Sequence, residues 1–118
     1  MRENIVKEKS YLFALRIVKL GRYLMEQKEF VISRQIVRCG TSVGANIEEA
    51  DGAQTKKDFI AKLQISLKEA KETHYWLRIL KDTETINKKL ADSLIHDISD
   101  IIAILTTILK TAKRNNEK

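Results

Sequence analysis

Apolar residues recur at three- and four-residue spacings along four stretches of the chain, which is the pattern of amphipathic helices. The first stretch runs from about residue 4 to 27, with Asn4 as a candidate N-cap. One face of it carries the apolar residues Val6, Phe13, Ile17, Leu20 and Leu24. The charged residues Glu8, Arg16, Lys19, Arg22 and Glu26 lie at other positions, so this stretch is predicted to bury one face and expose the other.

The second stretch, residues 33–51, contains two glycines one helical turn apart. Ser33 is the candidate cap, and Asp51-Gly52 is predicted to end the helix. Glycine inside a helix costs up to about 1 kcal/mol relative to alanine. Gly40 and Gly44 therefore predict that a neighbouring backbone packs closely against this helix.

The third and fourth stretches, residues 56–81 and 87–113, have the longest apolar patterns. Thr55 is the candidate cap of the third, whose heptad seam comprises Ile60, Leu63, Leu67, Ala70, His74 and Leu77. The main stripe of the fourth comprises Leu90, Leu94, Ile98, Ile101, Leu105 and Ile108, and a second stripe comprises Ile95, Ile102 and Leu109. The surplus on the fourth helix predicts a second contact surface and hence oligomerisation. The alternative is that this helix lies deeper in its own bundle.

Short connections make successive helices antiparallel, so we predict an all-α, up-down-up-down four-helix bundle formed by a single domain, residues 1–118. The chain has no proline and four glycines, which argues against an all-β fold. One cysteine excludes an internal disulfide framework. The longest charge-free runs and the charged N-terminus fit neither a membrane helix nor a signal peptide, so we expect a cytoplasmic protein without a membrane partner.

The net charge of +6 is concentrated on the first and third helices. Residues 1–38 carry +5 and residues 55–82 carry +3. Phosphate backbones are the usual partners of such a field. The candidate nucleic-acid-binding residues are Arg16, Lys19, Arg22, Lys56, Lys57 and Arg78. Helices one and three are diagonal in a square bundle, so a single basic face is not guaranteed, and a solvated surface that binds nothing specific is the alternative.

No pattern in the sequence indicates catalysis, a cofactor or a metal. The two histidines lie outside the metal-binding patterns Glu-x-x-His and His-x-x-x-His, and no phosphate loop or nucleophile motif is present. Cys39 is expected to be a buried, inert thiol, and His74 a core or interface histidine. An enzyme that uses His74, Glu72 and a metal is the weakest alternative.

Polar residues within the apolar stretches of the second and third helices could form a buried network that sets helix register. These residues are Gln35, Arg38, Asn46, Glu49 and Glu72. Buried polar groups must satisfy one another, so such a network would be structural. A solvated polar stripe explains the same pattern equally well.

Residues 35–50 (QIVRCGTSVGANIEEA) and 56–60 (KKDFI), followed by Leu63 and Glu72, resemble the bacterial four helix bundle protein family. That family includes proteins encoded in intervening sequences of 23S rRNA genes and the accessory variability determinant of diversity-generating retroelements. The positions that match its pattern are Gln35, Arg38, Ser42, Asn46, Ile47, Glu49, Phe59, Leu63 and Glu72. Ala50 and Glu69 depart from it, at positions where glycine and a small residue or serine are common.

The resemblance implies a homopentameric ring, nucleic-acid binding through basic surface, and a reverse transcriptase as partner in the retroelement branch. It implies no enzymatic activity. We therefore predict a non-enzymatic, oligomeric bundle that binds RNA or DNA mainly through phosphates. The alternative is a protein-interaction scaffold or accessory subunit with only weak nucleic-acid contact.

Overall fold

The structure, a computed structural model, describes the backbone of residues 2–117 and the side chains of residues 3–115. It contains four helices, α1 (Arg2–Glu26), α2 (Phe30–Asp51), α3 (Lys56–Asp82) and α4 (Lys88–Glu117). No strand occurs between residues 2 and 117, and the predicted all-α class with four packed helices is confirmed. Residues 1 and 118 of the predicted domain lie outside this range. Within it, no helix combines the length and apolar character that a membrane crossing requires.

Two of the three predicted N-caps are wrong. Asn4 lies inside α1, and α2 begins at Phe30, with Glu29 at its N-cap and no side-chain capping bond. Lys28 has a positive φ of 63°. This left-handed backbone conformation makes a tight turn, so α2 begins at Phe30, three residues before the predicted cap. The third cap is confirmed, because the Thr55 side chain accepts a hydrogen bond from the backbone N–H of Asp58 at 3.0 Å.

Each helix contacts the next one in the chain, and α1 also contacts α4. Within the described residues no Cα atom of α1 lies within 8 Å of one of α3, and the same holds for α2 and α4. The four helices therefore occupy the corners of a square, with α1 diagonal to α3. The bundle is elongated, with extents of 50 × 21 × 19 Å.

The glycines of α2 permit the predicted close approach of a neighbouring helix. A Cβ on Gly44 would lie 3.3 Å from the Ser10 carbonyl oxygen, and one on Gly40 would lie 2.8 Å from Ile17 Cγ2. Larger residues would force α1 away from α2. The Ser33 hydroxyl, which does not cap α2, is buried at the same interface and donates a hydrogen bond to the carbonyl of Gly21 at 2.8 Å.

The heptad seam predicted for α3 is only half correct. Three of its members are buried, namely Leu63, Ala70 and Leu77, and three are partly exposed, namely Ile60, Leu67 and His74. Ser66 and Thr73 take the buried positions instead. The Ser66 hydroxyl donates to the Val43 carbonyl on α2 at 2.8 Å, which shows why small hydroxyl residues occupy this tight interface.

The apolar surplus expected on α4 is covered by the rest of the chain. Its main stripe is buried apart from the partly buried Leu90, while Leu109 of the second stripe is buried and Ile95 and Ile102 are partly buried. None of the exposed large apolar side chains in the described range lies on α4. The inference of oligomerisation from α4 is therefore wrong, because contacts with both α1 and α3 cover a wide arc of this helix.

Unpartnered apolar surface is found on α1 instead. Six exposed large apolar side chains lie there: Ile5, Tyr11, Leu12, Leu15, Tyr23 and Met25. Two more, Phe30 and Val31, follow at the start of α2. We call the exposed residues Tyr11, Leu12, Leu15, Lys19 and Arg22 the α1 outer face, because they point away from the core.

Candidate nucleic-acid interface

The six candidate binding residues fall into two groups that the fold keeps apart. Arg16, Lys19 and Arg22 lie on α1, and the other three lie on α3. Because α1 and α3 are diagonal, the outward sides of the two helices face opposite sides of the subunit. A single subunit therefore presents two basic surfaces.

Arg16 is the weakest of the six candidates. Its Nη1 donates a hydrogen bond to Asp97 Oδ2 on α4 at 2.6 Å, and both side chains are only about one-third exposed, 36% and 37%. This pairing compensates the charge of the guanidinium and holds it against α4. Lys19 and Arg22 are exposed and pair with no carboxylate in the described part of the chain.

The outward side of α3 carries a denser set of cations. Lys57, Lys71 and Arg78 are spaced at multiples of seven residues, so they lie along one line of the helix. Lys68 lies on the adjacent line, and Lys56 lies at the N-terminal end of the helix. We call Lys56, Lys57, Lys68, Lys71 and Arg78, together with Tyr75, the α3 outer face. All six are exposed, and none of the five cations forms an ion pair with any residue of the described range.

Three residues of this face are not among the six candidates that the sequence predicts, namely Lys68, Lys71 and Tyr75. The seven-residue spacing of Lys57, Lys71 and Arg78 was the available signal. What the sequence could not indicate is that these cations remain unpaired.

The carboxylates of α3 are held by other residues. Arg38 on α2 donates through Nη1 to Glu69 Oε2 at 3.1 Å, and through Nη2 to Glu72 Oε2 and to the Gln35 side chain. Burial would lower the pKa of Arg38, but the charges of Glu72 and Glu69 outweigh it and raise that pKa above its usual value. Glu69, one of the departures from the family pattern, thus provides a second partner for Arg38. Both carboxylates lean toward α2, away from the α3 outer face.

The predicted five-residue polar network is divided into three separate sets of contacts. Gln35, Arg38 and Glu72 do interact, as described above. Asn46 bonds instead to the Ser42 carbonyl on its own helix at 2.9 Å. Glu49 pairs with Lys62 on α3 at 3.2 Å. The separation of these contacts along α2 and their partial exposure explain why no continuous network forms.

An aromatic side chain lies within the α3 outer face. Tyr75 is 50% exposed, and the guanidinium carbon of Arg78 lies 5.8 Å from the centre of its ring. Trp76 meets the same ring edge-on, with centroids 5.4 Å apart and an interplanar angle of 71°. The Trp76 indole N–H in turn donates to Glu72 Oε2 at 3.1 Å. This chain of contacts links the exposed ring to the salt bridge of Arg38.

The buried chemistry of the bundle contains no arrangement typical of an active site. Cys39 is fully buried, as expected, and burial raises the pKa of its thiol. Burial, followed by the charge of Arg78, lowers the pKa of His74. No group of three or more potential ligands among the described residues could hold a metal ion. The buried polar atoms of that range all have partners, which is typical of a structural core.

The chain is similar to proteins associated with ribosomal RNA genes. A family model described as "23S rRNA-intervening sequence protein" matches residues 2–107. Among solved structures, a crystal structure of a protein of unknown function from the S23 ribosomal protein family of Bacteroides thetaiotaomicron VPI-5482 is similar, with 53% identity and a TM-score of 0.90. The match covers 93% of this chain and 99% of that one. No curated protein matches this chain. Residues 2–107 include both outer faces.

Proposed function

The chain belongs to the 23S rRNA-intervening sequence protein family, and from that premise we propose that it is a non-enzymatic, oligomeric bundle that binds RNA or DNA through phosphate contacts. The observation that carries this proposal is the α3 outer face, with five exposed cations on one helix and no described carboxylate paired with them. We propose a cytoplasmic location because the family description refers to 23S rRNA.

Other exposed cations, such as Lys19 and Arg22, are also unpaired, so what distinguishes the α3 outer face is that five unpaired cations lie on one helix. Lys7, Arg16, Lys62 and Lys81 are each engaged by a carboxylate at 2.6 to 3.2 Å. Unpaired cations have no fixed partner on the protein, so they can neutralise phosphates and release the counterions condensed on the nucleic acid. From Lys56 to Arg78 the row is about 33 Å long at 1.5 Å per residue. That length suits several consecutive phosphates.

We propose that the α1 outer face is the surface through which copies of the chain associate. Its exposed leucines and Tyr11 form an apolar patch of the kind that monomers seldom leave uncovered. The resemblance noted above implies a ring of five copies. With α1 at the contacts between copies, the diagonal α3 would remain outside, and the copies would pool their unpaired cations.

We also propose the up-down-up-down topology for the bundle. It is supported by contacts that join early residues of one helix to late residues of the next. Lys7 pairs with Asp51 at 2.9 Å, whereas Ser33 bonds to Gly21 near the other end of the same helix pair. The connections between helices have three to five residues, as expected for antiparallel neighbours.

The second candidate function is a protein-interaction scaffold or accessory subunit, for example to a reverse transcriptase. The apolar α1 outer face favours it, because a different protein could cover this surface equally well. A stoichiometric protein partner that survives nuclease treatment and high salt during purification from the native host would support this candidate over the first.

The salt dependence of binding tests the proposed function. If the five α3 cations each neutralise one phosphate of a single strand, log affinity should fall with log salt with a slope of about −3.5, since each contact contributes about −0.7. Affinity would then drop roughly a hundredfold between about 50 and 200 mM salt. Fluorescence anisotropy with labelled oligonucleotides measures this slope. No binding at low salt, or binding that salt leaves unchanged, would overturn the proposal.

A further inference from the structure

We infer that Tyr75 is a stacking site for an unpaired base, so that the α3 outer face selects single-stranded over double-stranded nucleic acid. This inference rests on the proposed function and names its substrate class. The observation behind it is an exposed aromatic ring, held in place by its neighbours, in the middle of a row of unpaired cations.

The ring has the exposure and the fixed position that stacking requires. Tyr75 is half exposed. Arg78 lies over the ring, 5.8 Å from its centre, so a base would stack on the ring by displacing Arg78 or by using the opposite face. Trp76 meets the ring in an edge-type arrangement, and Glu72 fixes Trp76 through the indole N–H. Because a tyrosine has only two side-chain torsions and this one is already confined, little entropy is lost when a base stacks on it.

The surroundings of the ring favour a polyanion over an apolar partner. Lys71 lies one turn before Tyr75 and Arg78 lies one turn after it, and Lys68 lies two turns before it on the same line. Phosphates held by these cations would place the bases of a single strand beside the ring. Aromatic side chains alternating with cations along a groove or face are the usual means of binding single strands.

Tyr11 on α1 is also an exposed ring, but it does not lie between unpaired cations as Tyr75 does. It is the more exposed of the two rings, at 63%, yet its neighbour one turn later is the exposed Leu15. The cation one turn before it, Lys7, is bound to Asp51. An aromatic ring among leucines fits a protein contact, whereas one among free cations fits a nucleic acid.

A duplex cannot use Tyr75 in the same way. Its bases are already stacked on each other and present only their edges in the grooves. A ring that projects from a helix surface would meet a base face only after that base had left its stack. The cations of the α3 outer face can still bind duplex phosphates, so the ring should affect selectivity between the two forms rather than binding as such.

The test compares Tyr75→Ala and Tyr75→Phe with the control Phe30→Ala, which removes an aromatic ring of similar exposure outside both outer faces. Each is titrated by anisotropy with single-stranded RNA, single-stranded DNA and the matching duplexes. Tyr75→Ala should weaken binding to both single strands by roughly 5- to 150-fold, the range for loss of one stacked base. Tyr75→Phe should retain single-strand affinity, because the ring remains. Phe30→Ala should leave single-strand affinity unchanged, and duplex affinity should be equal in all variants. The tighter of the two wild-type single strands identifies the nucleic acid involved.

Trp76 supplies an independent readout, because it is the only tryptophan and lies against Tyr75. Its fluorescence should change when a single strand binds the wild type, and this change should disappear in Tyr75→Ala. Far-UV circular dichroism checks that the variants fold.

The inference and the proposed function fail in different ways. Unchanged single-strand affinity in Tyr75→Ala, with normal salt-dependent binding, would overturn stacking and leave the proposed function standing. Equal losses in Tyr75→Ala and Tyr75→Phe would assign the effect to the hydroxyl and also overturn stacking. A wild type that binds no oligonucleotide at low salt would overturn both.

Discussion

The outer faces of α1 and α3 lie on opposite sides of the bundle, and each was predicted to bind nucleic acid through three cations. On α1, one of the three is engaged by Asp97, and the exposed surface beside the others is apolar. On α3, all three are exposed, and Lys68 and Lys71 extend the row. Residues 1–38 carry the larger net charge, yet the more continuous unpaired surface is on α3. Net charge in a segment therefore does not locate a binding surface, because ion pairing decides which charges remain available.

The comparison also explains how one small bundle could support two kinds of contact. Along the α1 outer face, the apolar residues Leu12 and Leu15 are followed by the basic residues Lys19 and Arg22, at spacings of three and four residues. On α3 the exposed large apolar residues are Tyr75, within the α3 outer face, and Ile65, outside it. The diagonal placement keeps these two surfaces from competing for a partner. Self-association and nucleic-acid binding can then proceed together.

The largest expected effect is on assembly, through a charge placed on the α1 outer face. Leu15→Lys should dissociate the proposed assembly into monomers of 13.6 kDa. A buried, unpaired lysine is too costly to retain at the contact between copies. Light scattering or sedimentation measures the mass. Ile65→Lys on α3 is the matched control, because the two residues are 44% and 45% exposed, and this variant should keep the wild-type mass. A wild type that is monomeric at micromolar concentration would contradict self-association, and dissociation of both variants would show that α1 is not its particular site.

A smaller effect is expected when charge is reversed on the two faces in turn. Lys68→Glu with Lys71→Glu on α3 should lower affinity for oligonucleotides by at least about tenfold, and should reduce the salt slope by about 1.4, since two phosphate contacts are lost. Lys19→Glu with Arg22→Glu on α1 changes the net charge by the same amount and should cost no more than about threefold. Anisotropy titrations at several salt concentrations measure both quantities, and light scattering records the mass of each variant, because Lys19 and Arg22 belong to the proposed association surface. Equal losses would indicate a general field rather than a located site, and a larger loss on α1 would assign the site to that helix.

The smallest effect concerns pH and involves α3 only, because α1 contains no histidine. Burial and then the charge of Arg78 lower the pKa of His74 in the folded protein, so the unfolded chain takes up the proton first as pH falls through about 6.5. The contribution of neutral His74 to stability is present above that pH and is lost as pH falls through the folded pKa. The free energy of unfolding, measured with urea, should be lower at pH 5.5 than at pH 7.5. His74→Gln should reduce this decline, and His96→Gln should retain it. The decline in the free energy of unfolding should be well below the roughly 2–5 kcal/mol that deletion of a core side chain costs. An identical decline in both variants would exclude His74 as its source.

Local pattern was enough to predict the number of helices and the tight interface between α1 and α2. The apolar spacings predicted four helices, and Gly40 and Gly44 predicted the close approach that the contacts with Ile17 and Ser10 confirm. The Thr55 cap was predicted because its hydrogen bond is made within one helical turn. The predicted Ser33 cap is wrong, since its hydroxyl bonds to another helix, which no local pattern could indicate.

Exposure could not be predicted with the same success, because it depends on the arc of each helix that neighbours cover. The second stripe of α4 is mostly covered by α1 and α3, while the apolar residues on the outward side of α1 have no neighbour in the subunit. Both helices have apolar residues on more than one side, so hydrophobic periodicity alone ranked them incorrectly. Tyr75 was missed for the same reason, since a lone aromatic residue in a helical pattern is usually a core residue.

The sequence by itself determined four amphipathic helices, their tight glycine contact and an excess of positive charge, because each of these follows from residue spacing or from counting. Only the tertiary structure decided which charges are free. Arg16 meets a carboxylate 81 residues away, and Arg38 meets one 34 residues away. Coulombic pairing depends on distance in space, and folding alone sets that distance. Which surface offers unpaired cations is therefore a property of the folded bundle.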